Sequence, residues 1–400
     1  MMRDLRAHNV ECFGWNRSSA TVEEATKEGF DASTDLQATL ERAEASRALI
    51  VIGTPMTVVG TMLDAINEHA PSCSITDVVS VKAAVAAEVS ARGMEERFVG
   101  AHPMAGSAQA GWSATLEGLF DGAPWVITYD LAAAADVAGE PAPERWIEVF
   151  SQVANLGAAL GSQLIPALSD HHDASVARIS HMPHLAAYAI AAAGEAGGPL
   201  AISLAAGSFR DCTRVAAAAP DMVMSWCENN TEPVLAALDD VIERLTGEKI
   251  AHTAIDGCGA PVHAMTLTGL ARAIHRIGTA SDRSPFALHR VAGSLVRAVR
   301  ENPWTIEGPG RPDTIATETL GVFTKYGAEG VMVMVAPNGT TVALKMLDGA
   351  TRASTIVAAT LLARAGGLSD ADVAALSGAL PLAVLGGGAD VGAIRPGAGI

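Results

Sequence analysis

Five short stretches carry side chains able to move a proton or hold an anion. Asp77-Val78-Val79-Ser80-Val81-Lys82 comes first, followed by Gly100-Ala101-His102-Pro103 and His172-Asp173. Ser180-His181-Met182-Pro183-His184 and Asp211-Cys212-Thr213-Arg214 complete the set. A neutral imidazole titrates near working pH, so His102 is a candidate proton acceptor. Pro103 disfavours helix at His102, which predicts the ring at the end of a strand over Phe98–Val99, held out by a turn. Ligands of open α/β sheets bind at such strand ends. Ser80 has two readings: it caps the helix that follows, or it bonds both a substrate hydroxyl and His102. Arg214 offers a planar fork for a carboxylate; it could equally be an exposed helical arginine paired to Asp211. His181 and His184 are three residues apart and share a helical face. No Glu or Cys falls at a supporting spacing, so no metal is expected there.

The elements that must position these groups alternate in the first third of the chain. Helices are predicted at Met1–Asn9, Thr21–Glu28 (closed by Gly29), Asp35–Glu44 and Thr57–Glu68, with another at Lys82–Ala91. Strands are predicted at Val10–Trp15, Ala48–Ile52, Ile75–Val79, Phe98–Val99 and Val126–Tyr129. That order argues for a parallel, doubly wound sheet. No G-x-G-x-x-G occurs in the 400 residues, although a dinucleotide fold places that loop after its first strand. A missing central strand is expected to leave Val10–Trp15 and Ala48–Ile52 on one side, without a neighbour toward Ile75–Val79. From about Pro141 the pattern turns helical: Glu144–Leu156, a short strand at Gln163–Ile165, then Ser169–Ala193, Gly198–Leu204, Arg214–Ala219, Pro220–Asn229 and Glu232–Leu245. Gly207–Asp211 reads as a loop.

Composition narrows the function classes. A formal net charge of −17 argues against nucleic acid or an anionic membrane as the general partner. Anionic small molecules would need local clusters of Arg, Lys and helix N-termini. Five scattered cysteines, never in a CxxC pair, fit a reducing compartment without a disulfide framework. No apolar run is long enough to span a bilayer, and the chain is expected to be cytoplasmic.

The ordered set of motifs above resembles the prephenate/arogenate dehydrogenases over about residues 1–245. The resemblance implies oxidative decarboxylation in tyrosine biosynthesis, a Rossmann-like domain over 1–135, and a helical substrate and dimerisation domain over 136–246. It implies catalysis by His102 with Ser80, substrate contacts from His184 and Arg214, structural roles for His172 and His181, and a homodimer. The family's first strand and glycine loop would precede Met1, so cofactor binding by the present chain is expected to be weak. Cofactor choice is read after the second strand, where Trp15-Asn16-Arg17-Ser18-Ser19 stands in place of an acidic residue. Asn16, Arg17 and Ser18 suit the 2′-phosphate of NADP rather than NAD, although a simple turn accounts for the same residues. Thr54 and Pro55, after the next strand, would border the nicotinamide ribose.

Residues 247–400 resemble the second half of the zinc-associated, rhizobial-type L-asparaginases. The segments AIDGCGAPVHAMTLTGLARAI, GPGRPDT, FTKYGAEGV and VALKMLDGATRAS carry that likeness. It implies a partial α+β segment in which Cys258 is a remnant zinc ligand and Lys325 a remnant active-site lysine. The Ser-x-x-Lys and Cys-x-x-Lys that should accompany them are absent. Zinc and amidase activity are therefore not expected. The strands Gly330–Ala336 and Thr341–Leu344 are predicted to pair with one face uncovered and prone to association, and the Gly386–Gly388 region to be a loose tail. Two other readings remain: an incomplete asparagine amidohydrolase and a non-catalytic fusion product.

Overall fold

A computed structural model describes the chain apart from residues 107–110, 197, 219, 257–260, 398 and 400. It divides into two compact units, Met1–Leu238 and Asp239–Ile400.

The first unit begins with α1 (Met2–Ala7), β1 (Gly14–Trp15), α2 (Ser19–Lys27), β2 (Ala32–Ser33) and α3 (Leu36–Ser46). It continues through β3 (Leu49–Ile52), α4 (Val59–His69), β4 (Ser74–Asp77), α5 (Ala83–Ser90) and β5 (Phe98–Val99). Local chemistry sets the helix ends. Ser18 accepts the Thr21 amide at 3.3 Å and Asp35 the Ala38 amide at 3.0 Å, each satisfying an orphan N–H. Gly29 takes φ +79° just beyond α2, where a side chain would be strained.

β3, β4 and β5 form a parallel sheet, with Ile50 opposite Ile75 and Ile75 opposite Phe98. This is the Rossmann-like arrangement, and β1–β2 form a separate parallel pair. The gap therefore lies elsewhere than the sequence suggests: Ala48–Ile52 pairs with the Ile75 strand over four residues, and the break separates it from the β1 pair. The reason is packing. Leu63 and Ile66 of α4 and Val85 and Val89 of α5 close over Ile52 and Ile75 in one core, which fixes those strands as neighbours. The Val10–Trp15 strand also shrinks to two residues.

Gly100 breaks the β5 strand and hands the chain to a second sheet. β6 (Ala101–Pro103) runs antiparallel to β7 (Pro124–Thr128), which is parallel to β8 (Gln163–Ala167). His102 thus lies within a strand rather than beyond one. Its backbone is paired opposite Val126, and the Gly100 N–H donates to Thr128 Oγ1 at 3.1 Å. Helices α6 (Asp130–Ala138) and α7 (Glu144–Ala159) follow β7, and Val149 and Val153 of α7 pack with Trp125 of β7.

The helical part comprises α8 (Ser169–Val176), a π turn over Ala177–His181, α9 (Met182–Ala196) and α10 (Gly198–Ser203). After these come α11 (Gly207–Thr213), α12 (Pro220–Asn229) and α13 (Thr231–Thr246). The expected single helix over Ser169–Ala193 is interrupted because Pro183 has no N–H to donate into the preceding turn. The expected loop at Gly207–Asp211 is helical: Phe209 lies so close to Gly194 of α9 that a Cβ there would stand 2.4 Å from the ring. Arg214–Ala217 is a 3₁₀ turn rather than a longer helix.

In the second unit, β9 (Thr253–Ile255) and β10 (Pro261–His263) make an antiparallel pair. Cys258 lies outside the described residues. β11 (Phe323–Gly327), β12 (Val331–Val335) and β13 (Thr341–Lys345) form an antiparallel sheet. Its faces are not bare. Met332 and Met334 are buried against Ile356 and Leu362 of the helix Ser354–Arg364. Val335, pointing the other way by strand alternation, packs against Val296 and Val299 of the helix Ala287–Glu301. The expected uncovered face is filled by helices from within the unit itself. The supposed tail is a hairpin of β14 (Ala383–Gly386) and β15 (Ala389–Ala393). Gly387 and Gly388 turn it with φ +60° and +85°, values that suit a tight two-residue turn.

Candidate active site

The site forms where β4, β6, α8 and α12 converge in the first unit. Asp77, at the end of β4, is fully buried, and its Oδ2 accepts the Val79 amide at 3.0 Å, turning the chain toward Ser80. Its Oδ1 accepts the Ala101 amide at 3.2 Å, beside His102. Lys82, 1% exposed, donates its ammonium to Asp77 and to the Ala101 carbonyl, the latter at 2.7 Å. Burial pushes the Asp77 carboxyl up and the Lys82 amine down, and each is opposed by its partner's charge.

A line of side chains runs outward from this pair. Asp173 accepts the Lys82 and Ala83 amides at 2.8 and 2.9 Å, capping the start of α5 from another element. Asp173 Oδ1 lies 2.7 Å from His172 Nδ1, and His172 Nε2 lies 2.9 Å from His102 Nδ1. Burial, and then the Lys82 cation, hold the His102 pKa far below its ordinary value, to about 2. The ring is therefore neutral across the physiological range.

The helical wall is built on Trp226 of α12. His181 stacks on it at 4.2 Å between ring centres with planes 11° apart, and His184 meets its edge at 5.8 Å. His181 Nδ1 pairs with Asn230 Nδ2 at 3.0 Å, and the same amide nitrogen donates to the Asp173 carbonyl at 2.9 Å. Burial lowers the His181 pKa to about 4. The two histidines that share a helical face are thus joined by an aromatic ring. Trp226 packs with Val81 and Ala218, so residues beside Ser80 and at the end of the Arg214 turn meet in one cluster.

Sequence-predicted residues are placed unevenly around this centre. His102 is in it. Ser80 is half-buried on the bend after β4, but among the described residues no hydrogen bond joins it to His102. Among the described residues the partner of His102 Nδ1 is His172. His184 is half-buried and bonded through Nδ1 to the Ser180 carbonyl at 2.8 Å. Arg214 is exposed and makes no ion pair among the described residues, so the alternative pairing with Asp211 is not formed. The His172-Asp173 dipeptide was legible as a motif. What sequence hid was its contact with His102, seventy residues away.

The nucleotide-side residues lie at strand ends. Asn16 Oδ1 accepts the Ser18 amide at 2.9 Å and Ser18 caps α2, so both serve the turn; Arg17 between them is exposed. After β3, Pro55 is exposed, and Thr54 Oγ1 is buried without a partner among the described residues. Among the described residues, the unpartnered Thr54 hydroxyl after β3 and the exposed Arg17 guanidinium after β1 are groups that could meet a dinucleotide. In the second unit, Lys325 is exposed on β11, bonded to the Tyr326 carbonyl and lying 4.1 Å above the Tyr326 ring.

Residues 1–137 match the prephenate dehydrogenase nucleotide-binding domain and residues 168–254 the prephenate dehydrogenase dimerization domain. A crystal structure from Corynebacterium glutamicum, of a protein classed with the prephenate dehydrogenases, is 46% identical. It aligns over 62% of this chain and 78% of that one with a TM-score of 0.57. This chain belongs to the prephenate dehydrogenase family. The Bacillus subtilis prephenate dehydrogenase is 30% identical over 50% of this chain and 52% of its own length. The chain thus spans about half of that relative. The cyclohexadienyl dehydrogenase of Zymomonas mobilis is 27% identical over 57% of this chain and 74% of its own. Residues 212–396 match L-asparaginase II, so the chain joins segments of both families. Among the described residues no helix is long and apolar enough to cross a membrane.

Proposed function

We propose that the first unit carries out the oxidative decarboxylation of prephenate or arogenate, the reaction class that yields tyrosine or its keto-acid precursor. The observation that carries the reading is the half-buried His102 joined to the buried His172–Asp173 pair, which presents a neutral imidazole in a family of dehydrogenases. His102 takes the proton of the ring hydroxyl, a contribution of about 10²–10⁴ in rate. Arg214 holds the ring carboxylate until it leaves as carbon dioxide, and His184 with Trp226 forms the wall that excludes water. A bound nicotinamide supplies the oxidation by accepting a hydride. Arg17, Asn16 and Ser18 would meet its adenosine phosphate, favouring NADP, while Thr54 and Pro55 would border its nicotinamide ribose.

The unit works in the cytoplasm as a homodimer through the helical part, and residues 247–400 contribute no amidase activity and bind no zinc. The test is turnover of arogenate and prephenate at saturating NADP or NAD, followed by reduced-nicotinamide absorbance. His102→Asn should lower kcat by about two to four powers of ten with KM little changed. Arg214→Leu should chiefly raise KM. Small, equal effects of both changes would overturn the assignment.

A further inference from the structure

The Asp173 carboxylate is anchored through both oxygens by the Lys82 and Ala83 amides, and has no proton to give His172. The nitrogen of His172 facing it, Nδ1, must then carry the hydrogen of the 2.7 Å bond. In neutral His172 that leaves Nε2 as a lone pair, and this is the atom 2.9 Å from His102 Nδ1. The bond forms only if His102 carries its own hydrogen on Nδ1. Each role follows from the one before it, and the lone pair of His102 is left on Nε2.

We infer that His172 and Asp173 are positioning residues that lock His102 in the tautomer with a basic Nε2 and share the charge it gains on taking a proton. The inference rests on reading His102 as the proton acceptor. In that step the substrate O–H bond breaks and an N–H bond forms at His102 Nε2, with the electron pair left on the substrate oxygen. The imidazolium charge sits beside the buried Lys82 ammonium, an unfavourable neighbour whose charge bears on His102. The compensating anion is Asp173, reached through the Nδ1–H of His102 and the ring of His172. Because backbone amides at the start of α5 already hold the Asp173 carboxylate, and His102 is fixed in β6, the relay needs no rearrangement when the charge appears. A third group orienting a general base through the other ring nitrogen is the same logic that serves catalytic triads.

Nitrogen-15 spectra of the full chain labelled at histidine test this directly, with the His102 signals assigned by their loss in His102→Asn. The expected result is protonated Nδ1 and unprotonated Nε2 on both His102 and His172. His172→Gln, whose amide oxygen can accept the same bond, should preserve the His102 pattern. His172→Leu should release it to the Nε2–H form. In the turnover assay the Gln variant should keep most of kcat, and the Leu variant should lose kcat with KM unchanged. A wild-type His102 protonated on Nε2 overturns the inference whatever the activity, and requires no variant to fold. The locked tautomer together with full turnover by His102→Asn would instead remove His102 as the base and leave the lock standing.

Discussion

Lys82 Nζ donates to the Ala101 carbonyl at 2.7 Å, so a buried ammonium grips the backbone immediately before His102. The same cation answers the Asp77 carboxylate, and neither side chain reaches solvent. Replacing Lys82 with Met removes the cation but leaves the Asp77 charge and the Ala101 carbonyl buried. A loss of about 3–5 kcal/mol is expected for breaking one partner of a buried pair. The paired change Lys82→Met with Asp77→Asn should recover part of it. Urea denaturation monitored by tryptophan fluorescence checks both, and additive losses would mean that the two residues are not coupled.

Gly100 is where the chain passes from one sheet to the other, and a Cβ there would stand 2.9 Å from Thr128 Oγ1. Gly100→Ala should therefore destabilise the first unit by about 1–3 kcal/mol through overpacking. Adding Thr128→Ala relieves the clash but deprives the Gly100 amide of its acceptor. The double variant is expected between the single variant and the wild type. A Gly100→Ala protein with an unchanged denaturation midpoint would contradict this account of the crossover.

The two units should respond to acid in opposite directions. His181 and His102 stay neutral in the folded first unit down to about 4 and about 2, whereas the unfolded chain takes up protons near the ordinary 6.5. The unfolded state then binds more protons below that pH. The stability these groups contribute is full above it and is lost as pH falls, at up to about 1.4 kcal/mol per unit for each group.

Asp313 in the second unit has the reverse sign. Burial raises its carboxyl from 3.8 to about 6, and its Oδ1 has no hydrogen-bond partner among the described residues. The folded state binds the extra proton, so this contribution is present at low pH and is lost as pH rises through about 6. Asp313→Asn should flatten the pH dependence of the second unit's stability between about 4 and about 6. Midpoints measured at several pH values, with Trp304 as a reporter in the second unit, distinguish the two trends.

Arg17 is the exposed cation at the end of β1, beside the cap of α2. Arg17→Glu should weaken NADP far more than NAD, by about 1.5–3 kcal/mol, on the order of tenfold to a hundredfold. Titration calorimetry with both dinucleotides provides the readout. Equal effects on the two cofactors would remove Arg17 from the phosphate site.

Local features of the fold were determined by the sequence alone. Ser18, Asp35 and Gly29 mark helix ends through their own hydrogen bonds or backbone freedom, and the strands at Leu49–Ile52 and Thr341–Lys345 follow from apolar runs. His102 was legible as a candidate because Pro103 and its glycine-rich surroundings act over a few residues. Tertiary structure decided what pairs with what. β3 joins β4 because α4 and α5 pack over both, and the second unit's sheet is covered by helices that periodicity could not place on its faces. The partner of His102 was decided in the same way. Ser80 lies nearer in sequence, but His172 arrives from another element, carried on a helix whose Asp173 caps α5. Contacts of that kind depend on the three-dimensional meeting of segments some ninety residues apart, and nothing in local propensity encodes them.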